Sequence, residues 1–437
     1  MLQGFALGGE YGGAAIYVAE HARPHRRGWE TGWIQVSAAF GLMGALLVVL
    51  ITRMILGEEA FSAWGWRVPF LFSIVLLAIS VWIRLQLEES PAFKKLKDEG
   101  KISKRAYHES FFEWRNLKVV ILAFLAICMA QGVVWYTGFF YTQFYIERIL
   151  KIDSKTVSVI MIAGVMLSAP LYVFFAWLSD KIGRKIVMLF GIVLMLGLYF
   201  PGFHYITQAG NPQLAQALER VPVTVIADPA DCTFQLDLTG GARQFSTSCD
   251  IAKGSLTNAG VAYETQAGPQ DRLPVSALAT WKLKASAPGA KPTAKSAPRA
   301  PSSSHVCARY STRRDTRRVR RARWRAGAGR NRACLQREDR RLLDDRALRC
   351  RRDRALWPQA AALVELFPTR IRYTALSVPY HIGVGWFGGL LPAVVFAINT
   401  ATGSIYQGLW FPVIATAVSA VVMFFFLPET KDRDIHA

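Results

Sequence analysis

The sequence predicts an all-α polytopic membrane bundle carrying a small α+β insert outside the membrane, and three observations lead there. Apolar segments of spanning length recur along the 437 residues, at roughly 1–20, 32–52, 66–85, 118–141, 157–178, 186–206, 377–398 and 407–427. About 20 residues at ~1.5 Å each cross ~30 Å of hydrocarbon, and a backbone inside that layer must satisfy its own amides as a helix. The short loops alternate in charge. Between the sixth and seventh spans lies a long polar stretch with strand-like alternation.

The elements follow in order. The first span lacks a basic leader, carries Glu10 at its middle and shows no small-residue cleavage pattern, so it reads as a bilayer helix rather than a signal peptide. Arg23, Arg26 and Arg27 follow it. Two further spans lead to a basic linker, 86–117, with KKLKDEGKISKR at its centre. Three more spans occupy 118–206, and SDKIGRK (Ser179 to Lys185) joins the second of them to the third. Lys and Arg collect in the 21–29, 86–117 and 179–185 loops and before the seventh span, which predicts that these loops and the C-terminus are cytoplasmic. The segment 207–304 then falls outside. Within it VPVTVIAD, CTFQLDL and ARQFSTS alternate as short strands, 250–258 suits a short helix, and 284–304 reads as an unstructured tether. Cys232 and Cys249 lie on this oxidising side, where a disulfide closing their loop is favoured, worth ~3 kcal/mol in the entropy model. The predicted divisions are thus 1–85, 86–117, 118–206, 207–304, 305–356 and 357–437.

Composition contradicts this pattern in one place. Between Arg309 and Arg354 there are 19 Arg, no Lys and 6 acidic residues, a net +13 of the chain's +21. The remainder mixes 17 Arg with 16 Lys. An Arg at a helix centre costs ~2.5–3.5 kcal/mol on insertion scales, so no packing makes this stretch a span. Arg without Lys is what GC-rich DNA yields in a wrong frame, and the expectation is that about 306–356 is read out of frame, returning at Trp357-Pro358. A nucleic-acid-binding tract is the competing reading. Tyr310 and Trp324 are its only aromatic residues, and no fold motif accompanies it. Cys307, Cys334 and Cys350 follow no zinc spacing.

An internal repeat runs through the chain. Ala15, Glu20 and Arg27 have the same spacing as Ala360, Glu365 and Arg372, and each Glu closes an apolar segment before another span. Related halves suit alternating access. Glu20 with Arg26 or Arg27, and Glu365 with Arg370 or Arg372, are the expected gating pairs. Intramembrane polar residues mark the expected substrate and proton pathway: Glu10, Gln35, Gln131, Trp135, Tyr136, Tyr141, Gln143 and His381. Burial would raise the Glu10 carboxyl toward neutrality, as a proton carrier requires, although a helix–helix hydrogen bond accounts for it equally. His381 is a titratable candidate or a satisfied core residue. Aromatic packing explains any single Trp or Tyr.

WLSDKIGRK is the most specific signal. A positive-inside loop explains its basic residues but not the spaced Asp180, Gly183 and Arg184. With Leu178, Ser179, Lys181 and Lys185 it resembles the inter-helix loop motif of the major facilitator superfamily, the leading Gly being Ala176 here. LQGFALGGEYGGAA, WGWRVPFLFS, LEESPAF, QGVVWYTGFFYTQFY, LVELFPTRIRYTALSVPYHIG and PETKDRDI are similar to its metabolite:H⁺ symporter group. That resemblance covers about 1–206 and 356–437. It implies a multi-pass protein of the bacterial inner membrane that carries an organic acid or an osmolyte with H⁺, using the proton gradient and no cofactor. It implies no enzyme activity, metal, nucleic acid or obligate protein partner. Measured against the family, three N-terminal helices are expected to be absent and the tenth interrupted, so a non-functional remnant is the alternative. No P-loop, hydrolase triad or metal cluster is legible.

Overall fold

A computed structural model describes residues 10–86, 91–100, 103, 105–220, 223–236, 247–267, 358–431 and 433. The expected tether and the Arg-rich tract lie outside the described residues. So do residues 1–9 of the first expected span and the side chain of Glu10.

Helix α1 (Glu10–His21) leads through a 3₁₀ turn into α2 (Arg27–Ala60), which is kinked at Gly57, and α3 (Arg67–Gln86) follows. Short helices α4 (Pro91–Asp98) and α5 (Ala106–Phe111) form the basic linker. The next three helices are α6 (Trp114–Ile149), α7 (Ser154–Ile182) and α8 (Arg184–Gly210). After α9 (Pro212–Arg220) and the insert come α11 (Gln359–Leu366), α12 (Arg372–Thr402) and α13 (Trp410–Phe426). Among the described residues, six helices are long and apolar enough to cross a membrane: α2 with its π-turn to Gly65, α6, α7, α8, α12 and α13 with the 3₁₀ turn before it. The apolar run of α3, Arg67–Ile83, falls just short of that length.

The packing follows from small residues at crossings. Gly28 and Gly32 on α2 face Ala176 on α7, and a Cβ on Gly32 would come within 2.6 Å of the Ala176 Cβ. Such a small-x-x-x-small spacing is how bilayer helices approach closely when no hydrophobic force drives them together. Likewise Gly132 on α6 meets the Gly383–Val384 backbone of α12, where a Cβ would lie 2.7 Å from Val384 Cα. π-turns at Phe124–Cys128 and Thr137–Tyr141 flank this crossing on α6, and another at Gly383–Gly388 lies on α12. Each shifts the helix face by one residue. Asp153 caps α7, its carboxylate accepting from the Lys155 and Thr156 amides.

Two apolar cores result. One surrounds Ala15, Ala123, Met188, Leu363, Leu376 and Met423, and the other Val36, Tyr145, Met161, Phe203 and Val395. All eight residues of α11 are buried. In contrast α3 is exposed on nearly every side, with Phe70, Leu71, Leu77 and Trp82 facing outward.

The insert is smaller in regular structure than the sequence suggests. Strand β1 (Val223–Ala227) pairs in parallel with β2 (Tyr263–Ala267), in the register Val223↔Tyr263, and α10 (Ser248–Asn258) packs beside them. The first expected strand is present. Residues 232–236 of the second are irregular, because the Cys232–Cys249 disulfide and the Asp250 carboxylate hold them against α10: Asp250 accepts from the Thr233 amide and hydroxyl. Much of the third lies outside the described residues. Strand β2 escaped prediction because YETQA exposes four of its five side chains and shows no apolar alternation. The insert docks on α12: the Tyr263 hydroxyl donates to the Thr400 carbonyl (2.6 Å) and the Tyr263 amide to that of Gly403 (2.8 Å).

Candidate functional site

Two buried polar clusters lie inside the bundle. The first occupies the end of the basic loops and is built from charges. The α7–α8 turn reverses at Gly183, whose φ of +109° is open to glycine and whose missing Cβ leaves room for Glu429: a Cβ there would lie 2.5 Å from Glu429 Oε2. Glu429 in turn accepts from the amides of Arg184 (2.8 Å) and Lys185 (3.1 Å), so it caps α8. Asp180 caps α2, accepting from the Gly28 (2.9 Å) and Trp29 (2.8 Å) amides. Both carboxylates lie at the positive end of a helix dipole.

Guanidiniums fill the space between. Arg184, 1% exposed, pairs with Asp180 at 2.6 Å and with Glu365 at 3.3 Å. Glu365 lies 3.9 Å from Arg27 and accepts from the Thr430 hydroxyl at 2.7 Å. Arg372 pairs with Glu20 at 2.5 Å and donates to the Phe367 carbonyl. Arg27 reaches the Arg433 carbonyl at 2.8 Å. Lys181 remains at the rim, where its carbonyl accepts from the Lys431 ammonium.

The expected gating pairs are therefore corrected in their partners. Glu20 pairs with Arg372 rather than with Arg26 or Arg27, and Glu365 with Arg184 and Arg27 rather than with Arg370 or Arg372. Each Glu of the repeat reaches the Arg of the other copy. The reason is geometric: Arg27 and Arg372 each begin a new helix after a reversal, and the reversal turns them toward the opposite half. Arg26 is exposed, and Arg370 pairs at the surface with Glu109.

The second cluster is uncharged. Tyr11 on α1 stacks on Tyr380 of α12, the rings 4.1 Å apart and 6° from parallel. The Tyr11 hydroxyl accepts from the amides of Gln35 on α2 (3.0 Å) and Gln359 on α11 (3.1 Å). Gln131 on α6 lies beside the Tyr380 hydroxyl. The α6–α12 glycine crossing delivers Gln131 to this place.

The other expected pathway residues separate. Tyr136 packs on Gly388 beside the cluster, and Trp135 meets Tyr136 edge-on and Phe139 and Phe140 at a tilt. His381 stands edge-on to Tyr380. Tyr141 belongs to the insert end, where its hydroxyl accepts from Asn399 and its ring packs on Phe203. Gln143 is half-buried and enters neither cluster. Glu10 opens α1, one residue before Tyr11. Sequence reading overlooked Tyr11, Gln359, Tyr380 and Glu429. Tyr11 adjoins the Glu10 that drew notice, Gln359 follows the anomalous tract by a few residues, and Glu429 stands in the quoted PETKDRDI.

The model of the Major Facilitator Superfamily matches residues 1–215. Over that stretch, just under half of its 437 residues, the chain is similar to the major facilitator superfamily. Within it, the glycine betaine/proline/ectoine/pipecolic acid transporter OusA of Dickeya dadantii is 36% identical over 217 residues, 46% of this chain and 42% of that protein. The proline/betaine transporters of Salmonella typhimurium and of Escherichia coli are each 34% identical over 219 residues, again 46% of this chain and 42% of theirs. The matched region thus spans less than half the length of these curated relatives. They are transporters, not enzymes, and the helical membrane bundle agrees with that family.

Proposed function

We propose that this chain forms the framework of a secondary transporter that carries a small zwitterionic osmolyte together with H⁺ by alternating access. The observation that carries the reading is the exchange of partners at the basic-loop end. Residues 10–85 supply Glu20 and Arg27, residues 357–437 supply Glu365 and Arg372, and each pair bridges the two. Opening that end requires breaking both pairs together, which makes the closure bistable rather than gradual.

The uncharged cluster is the proposed substrate site, because residues from both halves meet there: Tyr11 and Gln35 from one, Gln131, Gln359 and Tyr380 from the other. Among the described residues, the Arg side chains Arg27, Arg184 and Arg372 are engaged in the charged cluster and none is bonded within the neutral one. An organic acid needs a cation there. A zwitterion suits neutral amides and stacked tyrosine faces, and the relatives' names include proline and betaine. Glu10, one residue from Tyr11, is the proposed proton carrier, with His381 beside Tyr380 as the other titratable group. The basic loops and the C-terminus are assigned to the cytoplasm and the insert to the outer side of a bacterial inner membrane.

The test is uptake of labelled proline and glycine betaine by proteoliposomes holding the full chain. Accumulation that rises with an inward proton gradient and collapses with an uncoupler supports symport. Flux unaffected by the gradient rejects it. A second reading, a non-transporting remnant, is favoured by one observation: the family match ends at residue 215, while 358–431 packs into the same bundle beyond the Arg-rich tract. An apolar helix encoded in another frame of the DNA across 306–356, with no uptake until that frame is repaired, establishes the remnant. A single intact frame with uptake removes it.

A further inference from the structure

The site proposed above contains two acceptors without donors, and these define its ligand more narrowly; the inference rests on that reading. Gln131 is 5% exposed and Gln359 0%. Gln359 donates its amide to the Tyr11 hydroxyl, Gln131 lies beside the Tyr380 hydroxyl, and the Oε1 atom of each has no hydrogen-bond partner. An amide oxygen only accepts, and a buried one left unmatched is a standing penalty that a donor-bearing ligand removes.

We propose that Gln131 Oε1 and Gln359 Oε1 receive N–H groups of a protonated ammonium, so that the site takes an amino or imino acid in preference to a quaternary ammonium. The faces of Tyr11 and Tyr380 turned away from each other attract either cation and do not discriminate between them. The amide oxygens do, since methyl groups on nitrogen donate nothing and hold the oxygens away from water. A site built around an N–H rejects the analogue lacking it more strongly than an apolar pocket rejects an added methyl. A carboxylate at this position would set acceptor against acceptor.

Proline and N,N-dimethylproline share a skeleton and differ only in the two N–H groups, which makes them the matched probes. Equilibrium binding of each is measured on the purified full chain in nanodiscs, with Gln131→Met and Gln359→Met as variants and Gln359→Glu as the acceptor-retaining control. Thermal melting confirms that each variant folds. The expected result is proline binding roughly tenfold or more tighter than N,N-dimethylproline. Each Met variant loses roughly that factor for proline and changes N,N-dimethylproline binding less than about twofold, while Gln359→Glu keeps the preference. Equal or tighter binding of N,N-dimethylproline overturns the inference, as does a parallel loss of both ligands in the Met variants. Tighter binding of a dicarboxylate such as succinate also overturns it, because it means the amides present N–H instead. If neither amino acid derivative nor dicarboxylate binds the wild-type chain, the transport reading of this cluster falls as well.

Discussion

The two buried clusters differ in what they leave over. At the basic-loop end nearly every charge has an opposite charge or a helix terminus against it: Asp180, Arg184, Glu365, Glu20, Arg372 and Glu429 all have named partners. In the neutral cluster, the amide oxygens of Gln131 and Gln359 have none. A cluster whose charges are matched, with the Arg27 Nε left over, holds structure together. One that leaves two amide oxygens unmatched, uncharged and between the same two halves, is a place prepared for a ligand. The contrast separates a closure from a binding site without reference to sequence similarity.

The largest effect is expected at Glu365. Replacing it with Ala leaves Arg184 and Arg27 buried with one partner fewer, and breaking a buried pair this way costs about 3–5 kcal/mol. Glu365→Ala should therefore lower the yield of folded protein in membranes and its Tm in detergent, well beyond Gln359→Met, which removes only neutral bonds. Equal losses for both would erase the distinction between the clusters.

A smaller effect is expected outside the bundle. Cys232→Ser opens a disulfide spanning 17 residues, which removes about 3 kcal/mol from the insert alone. Limited proteolysis should then cut within 223–267 while α6 to α8 remain intact. Loss of the whole bundle would show that the insert braces the charged closure after all.

The smallest effect is a pH dependence of docking. Burial raises the Tyr263 phenol from its usual 10.0 to about 12, with the Thr257 hydrogen bond opposing. The docked state favours the neutral phenol, which donates to the Thr400 carbonyl. Docking is fully present below pH 10 and is lost as pH rises from there through about 12. Proteolytic protection of the insert should fall over that range, and Tyr263→Phe should lose the step along with about 1 kcal/mol of docking. A step unchanged in Tyr263→Phe would assign it elsewhere.

Much of the fold was legible because hydrocarbon imposes a coarse rule: length and apolarity located α2, α6, α7, α8, α12 and α13. The repeat around Glu20 and Glu365 was visible as well, since spacing survives in one dimension. Its pairing was not. Which Arg meets which Glu depends on how α2 and α12 turn after their reversals, and local proximity pointed to the wrong partner each time. The neutral cluster was half legible. Gln35 and Gln131 stand out as polar residues within apolar runs, but Tyr11 and Tyr380 look like ordinary aromatic packing until their rings are found stacked. Gln359 was hidden by its place beside the Arg-rich tract. Tyr141 falls elsewhere for a related reason: helix length along α6 carries it to the insert end, away from Gln131.

Charge exchange tests the cross-half closure most directly. Glu20→Arg and Arg372→Glu should each destabilise the bundle by about 3–5 kcal/mol, read as Tm in detergent. The double variant Glu20→Arg/Arg372→Glu should recover at least half of that loss, and Glu20→Arg/Arg27→Glu should recover none. Recovery in the second combination but not in the first would show that the pairs stay within each half, and the proposed closure would be wrong.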